Sequence, residues 1–170
     1  MRTSRRIAAA VAATAAALAG GTGAGVAQAV PAVPRAAAPS ACRPANHLAE
    51  ITEADGTAGH RHYRVTLTAP RGYEPCELAG SPTDARFSDG GADTGVTAGR
   101  YGDQDGVVVF GPGHPVHFDI QVPDSGRGVA ADEASFTLQA PDGEIPGTSF
   151  ADGALQVAAG TLVGPVQPGA

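Results

Sequence analysis

Two histidines two residues apart, His60 and His62, are the first positions in this 170-residue chain whose spacing suggests chemistry. In an extended strand, residues i and i+2 project from one face, so the two imidazoles can share a divalent ion such as Zn²⁺ or Cu²⁺. Two imidazoles leave an ion mostly hydrated, and a third ligand is needed. His117, beside Asp119 in a second alternating stretch, is the expected one. The competing expectation is an ordinary wet face, because Arg61 and Arg64 flank the pair and repel a cation. His47 stands near the first strand, and His114 has the wrong parity to chelate with His117.

The carboxylates offer a second chemistry. Asp93-Thr94-Gly95 and Asp124-Ser125-Gly126 are two copies of the triplet with which aspartic proteases make two carboxylates share one proton. Asp93, however, follows Gly90-Gly91-Ala92 rather than an apolar strand, and 31 positions between the copies cannot hold a catalytic lobe. Pro123-Asp124-Ser125-Gly126 resembles a serine-protease nucleophile loop but lacks an upstream histidine motif. Asp103-Gln104-Asp105-Gly106 resembles part of a calcium loop. Aligning Gly106 with the EF-hand glycine puts Tyr101 and Pro112 where ligands must be carboxylates. G-x-S-x-G, H-E-x-x-H and C-x-x-C are all missing. No catalytic residue and no cofactor is predicted. An extracytoplasmic metal-binding protein and a hydrolase without a motif are the alternatives to a binding module.

These groups must be positioned by β-structure. Tyr63, Val65, Leu67 and Ala69 alternate with His62, Arg64, Thr66 and Thr68, and Val116, Phe118, Ile120 and Val122 alternate with His117, Asp119 and Gln121. Period two of this kind marks strands with one buried and one wet face. Shorter strands are predicted at 48–52, 76–79, 84–87, 107–110, 135–140 and 154–157, separated by Asp-Gly and Gly-Pro-Gly turns. About eight such strands predict an all-β antiparallel two-sheet sandwich, immunoglobulin-like but without the Cys-Trp-Cys core, since the chain has no Trp. A partly open β-barrel is the alternative.

Residues 1–29 have the form of an export signal: Arg2, Arg5 and Arg6, then an Ala-rich apolar run, then Ala27-Gln28-Ala29 for the peptidase. The apolar run is too short and too Ala-rich to span a bilayer. Residues 30–41 read as a Pro/Ala-rich linker and 42–170 as one domain. The 141 residues after the signal carry eight Arg, no Lys and 17 acids, a net charge of −9. That charge repels phosphate backbones and anionic membranes. Only 27 of those 141 residues are Val, Leu, Ile or Phe, a thin supply for a core. An exported chain with two cysteines is expected to bridge Cys42 to Cys76, the alternatives being free thiols or an intermolecular bond.

The segments Tyr63–Thr68 and Cys76-Glu77-Leu78-Ala79-Gly80-Ser81-Pro82 resemble a family of secreted or lipid-anchored actinobacterial domains known only as a domain of unknown function. Cys42, Gly59 with its strand, Gly111-Pro112-Gly113 and Leu162-Val163-Gly164-Pro165-Val166 extend the likeness over residues 42–166. Many members carry two further cysteines in the C-terminal half, which this chain lacks. The resemblance implies an extracytoplasmic β-sandwich and no reaction. The sequence thus points to a secreted, non-enzymatic module for an unknown cell-surface or extracellular ligand. Mass spectrometry of secreted protein should find an N-terminus at Val30; retention of Met1–Leu18 would contradict the reading.

Overall fold

A short supply of large apolar residues must be gathered from many strands at once, and a sheet that curls onto itself does this with few residues per strand. The computed structural model describes residues 37–124 and 127–170; the segment predicted to direct export lies outside the described residues. The strands are β1 (Leu48–Thr57), β2 (His60–Thr68), β3 (Cys76–Ala79), β4 (Thr83–Asp89), β5 (Ala92–Thr97), β6 (Gly99–Arg100), β7 (Val107–Phe110), β8 (Val116–Pro123), β9 (Val129–Thr137), β10 (Gln139–Ala140), β11 (Gly143–Glu144), β12 (Ser149–Val157), β13 (Leu162–Val163) and β14 (Gln167–Pro168). Among the described residues the helical content is one 3₁₀ turn, Pro44–Asn46.

Ten of these strands form one sheet in the order β5-β4-β9-β12-β1-β2-β8-β13-β6, with β14 also pairing to β8. Its two ends are joined through a single residue. The Ala98 amide donates to the Ala85 carbonyl at 3.0 Å, while the next amide, Gly99, donates to Thr161 at 2.9 Å. One residue thus carries the chain from the last strand of one end to the last strand of the other. The sheet is nearly closed and barrel-like. The expected two-sheet sandwich gives way to the partly open barrel, because the ladders follow one continuous path. Nor is the sheet wholly antiparallel: β1 runs parallel to β12, and β13 parallel to β6.

The interior is lined by alternate residues, as the period-two pattern requires. Val65 and Leu67 of β2, Phe118 and Ile120 of β8, Phe87 of β4 and Phe136 of β9 are all buried. Phe118 and Phe136 meet edge-to-face at 5.0 Å across the interior, although three strands separate β8 from β9 along the sheet. That geometry suits the ring quadrupoles and adds about 0.5–1.5 kcal/mol to the burial itself. The same sheet also buries the small side chains Ala131 and Ala134 of β9 and Ala151 of β12. The separate antiparallel pair β3–β7 turns Leu78 and Phe110, both fully buried, toward the same core.

Two predicted turns are not turns. Asp55-Gly56 lies within β1, and the reversal comes at Ala58-Gly59. Asp152-Gly153 lies within β12 at a register break against β9. Gly153 has φ +151°, and a Cβ there would collide with the Ile51 carbonyl of β1. Only glycine lets β12 approach β1 closely enough to make the parallel join. The folded chain also begins earlier than Cys42: Ala41 is fully buried and its amide donates to the Glu74 carbonyl at 2.9 Å.

Cys42 and Cys76 form a disulfide with Cα atoms 6.0 Å apart, tying this N-terminal segment to β3. The bridge closes a loop of 34 positions, worth about 3.5–4 kcal/mol by the chain-entropy argument. Cys76→Ser should therefore lower the stability measured by urea unfolding by about that amount, a large share of the roughly 5–15 kcal/mol typical of a domain.

Candidate functional site

An open groove of about 1110 Å³ lies beside the disulfide. One wall is the segment Ser40–Ala45, and the other is formed by residues 140–148. Pro44, Ala45, Pro141, Ile145 and Pro146 make its surface mostly apolar, and Arg43, Glu77, Asp142 and Glu144 also line it. Proline fixes φ, so three of these wall positions are stiff before any ligand arrives. The hairpin β10–β11 is anchored to β4 by a polar chain: Gln139 Nε2 donates to the Thr83 hydroxyl at 3.0 Å, which donates to Glu144 Oε1 at 3.1 Å. At one end the walls nearly touch, since a Cβ on Gly147 would lie 3.1 Å from Pro44 Cγ.

The histidines predicted as metal ligands are placed differently. β2 and β8 are neighbours with their polar faces on the same side, as a shared site requires. Their register nevertheless sets His60 against Pro123, His62 against Gln121 and Thr66 against His117. His117 is thus four residues along the strand from the position facing His62, or about 13 Å at a rise of about 3.3 Å per residue. One ion cannot bridge that distance. His62 Nε2 is instead bonded to the Thr57 hydroxyl at 2.9 Å, and His117 Nδ1 to the Gly169 carbonyl at 3.2 Å. Asp119 pairs with Arg64 at 3.4 Å. Both His62 and His117 are nearly buried rather than on a wet face, His117 because β14 pairs alongside it. Among the described residues, no three His, Cys, Asp or Glu side chains are grouped to hold a metal.

The acidic motifs are used locally. Asp93 Oδ1 accepts from the Gly95 amide at 2.7 Å, and the Thr94 hydroxyl donates to the Phe87 carbonyl at 2.9 Å. The triplet leads into a bulge of edge strand β5: Asp93 pairs with Ser88, and Thr94, Gly95 and Val96 together face Phe87 of β4. Asp124 pairs with Arg61 at 3.5 Å, while Ser125 and Gly126 lie outside the described residues. Asp103 Oδ1 accepts from the Asp105 amide at 3.0 Å, an Asx turn where a calcium loop was tested.

Residues 42–167 match the family described as a domain of unknown function, DUF4232. The chain belongs to that family. The match takes in both cysteines, both walls of the groove beyond Ala41 and the whole nearly closed sheet up to Gln167. No curated protein and no solved structure matches the chain.

In this DUF4232 domain the groove's first wall is held to the barrel by His47. Its Nδ1 faces the Ala41 carbonyl at 3.1 Å and its Nε2 faces the Ser149 hydroxyl at 3.0 Å. A carbonyl can only accept, so Nδ1 carries the proton and the neutral Nε2 accepts from Ser149. The ring edge packs on Phe110 at 5.7 Å. Burial holds the His47 pKa below its usual value of 6.5, against the raising effect of the Ala41 and Arg43 backbone groups. Burial also raises the Tyr101 hydroxyl, with the Asp119 charge adding and a Gln121 hydrogen bond opposing.

Sequence reasoning assigned the groove no role. Ile145-Pro146-Gly147-Thr148-Ser149 reads only as a faint sortase-like string, and His47 as a lone histidine. Nothing in the spacing reveals that residues 40–45 and residues 140–148 line one groove. The protonation of His47 has a testable sign. The folded pKa is depressed, so the unfolded chain binds more protons and stability falls as pH drops from about 6.5 toward the folded value. Thermal unfolding between pH 7.5 and pH 5 should show this slope, and His47→Gln should flatten it. At pH 7.5, His47→Ala should cost about 1–3 kcal/mol through its two lost hydrogen bonds.

Proposed function

We propose that this DUF4232 chain is an exported, non-enzymatic binding module at or outside the surface of an actinobacterial cell, with the groove beside Cys42–Cys76 as its binding site. The observation that carries the reading is the groove: a ligand-sized, mostly apolar concavity stiffened by Pro44, Pro141 and Pro146 and backed by a crosslink. A site already in its bound shape loses little conformational freedom on binding. Glu77, Asp142 and Glu144 outnumber Arg43 in the lining, which favours ligands with an apolar body and neutral or cationic polar groups.

Binding rather than catalysis is supported by the local employment of Asp93, Asp103 and Asp124 in turns and an ion pair. Export is supported by the signal-like residues 1–29 and by a disulfide, which persists in oxidising compartments. No helix among the described residues is long and apolar enough to cross a membrane. Titration of labelled protein with neutral and cationic apolar fragments, followed by amide NMR, should shift Ala45, Gly147 and Thr148. Ile145→Asp should weaken such fragments by about tenfold or more, as expected for loss of a central apolar contact. Shifts that fall elsewhere and ignore Ile145→Asp would reassign the site.

A further inference from the structure

The outer wall of the barrel carries an apolar pair left exposed among the described residues. Phe150 is 55% exposed and Leu48 is 70% exposed, both large side chains on the main sheet. The parallel register sets Glu50 against Asp152, and the same offset sets Leu48 beside Phe150. Both point outward, because Ile51 and Ala151 occupy the inward parity of their strands. One step further along these strands comes a row of three carboxylates. Glu133 of β9 faces Asp152 of β12, which faces Glu50 of β1. The ion pairs among the described residues are Arg61–Asp124 and Arg64–Asp119, so none falls on the row, where Glu133 Oε1 accepts from the Ser88 hydroxyl at 2.9 Å. Like charges on adjacent strands oppose pairing.

Exposed aromatic and aliphatic surface calls for an apolar cover, and the uncompensated row calls for cations. A second copy of the chain would set carboxylates against carboxylates. Nucleic acids and anionic membranes are repelled in the same way. We infer that Leu48 and Phe150, with Glu50, Asp152 and Glu133, form a docking face for an extended basic peptide segment of a partner protein. Such a segment bears an apolar residue on the same face as Lys or Arg two positions away, the period of a strand. The inference rests on the reading of the chain as a binding module but concerns a surface other than the groove.

The probe is the peptide acetyl-TFTKTKTK-amide, titrated by amide NMR at low salt. The expected result is weak, saturable binding with shifts at Leu48, Glu50, Phe150 and Asp152. Replacing the peptide Phe by Ser, or Phe150→Ser in the protein, should each weaken binding by about tenfold. Asp152→Asn should weaken it less and reduce its salt dependence. All these positions are exposed, and a thermal melt checks that each variant folds. Leu48→Ser provides a second apolar test should Phe150→Ser unfold. No saturation by 1 mM peptide would overturn the inference. So would equal binding of the Glu-for-Lys peptide, or binding that Phe150→Ser and Leu48→Ser leave unchanged. Ile145→Asp should leave this titration untouched, so failure here is separable from failure at the groove.

Discussion

The architecture depends on one constraint, the passage of the chain through Ala98. Consecutive amides there bond to opposite ends of the ten-stranded sheet, so the ends are held within a residue's length of each other. Everything inside follows from that closure. A chain with so few large apolar side chains would bury them poorly on a flat sheet. Curled, it brings Phe118 against Phe136 across the interior. The glycine at 153 serves the same closure from another side, by allowing β12 to lie against β1.

The strands with clean alternation were legible in the sequence, because burial of one face leaves a period-two trace. β3 and β7 coincide with their predicted bounds, and β2 and β8 nearly so. What escaped had lost that trace. β5 contains Gly95 and a bulge and was missed, while β12, expected only at 154–157, contains Asp152-Gly153, and β9, expected only from 135, changes parity between Ala131 and Ala134. The parallel join of β1 to β12 and the closure at Ala98 are long-range facts with no local signature. The groove is of the same kind. It arises from segments about a hundred residues apart, and no spacing within either one announces it.

The motif-like strings illustrate a different point. Asp93-Thr94-Gly95 looks catalytic as letters, yet its side chains occupy the amides of Gly95 and Val96 on an outer strand. An edge strand whose amides are so engaged is a poor template for another chain. Asp103 likewise closes its own turn. In a chain rich in Asp and Gly, carboxylates beside glycines are the material of turns and bulges. His47 is the reverse case: inconspicuous as a letter, it holds a wall of the groove by both ring nitrogens.

The disulfide also sets an order in time. It spans 34 positions and encloses only the β1–β2 hairpin, so its two sulfurs are available long before β12, whose Asp152 must reach Glu50, has been delivered. A chain threaded from its N-terminus can therefore be oxidised around one hairpin while the opposite flank of β1 is still bare. During that interval Leu48 and Glu50 lie on an unpaired edge, and the carboxylate discourages the apolar neighbour from recruiting a second nascent chain. Of the acidic row only Glu50 is present at that stage, and Asp152 and Glu133 join it in the finished wall.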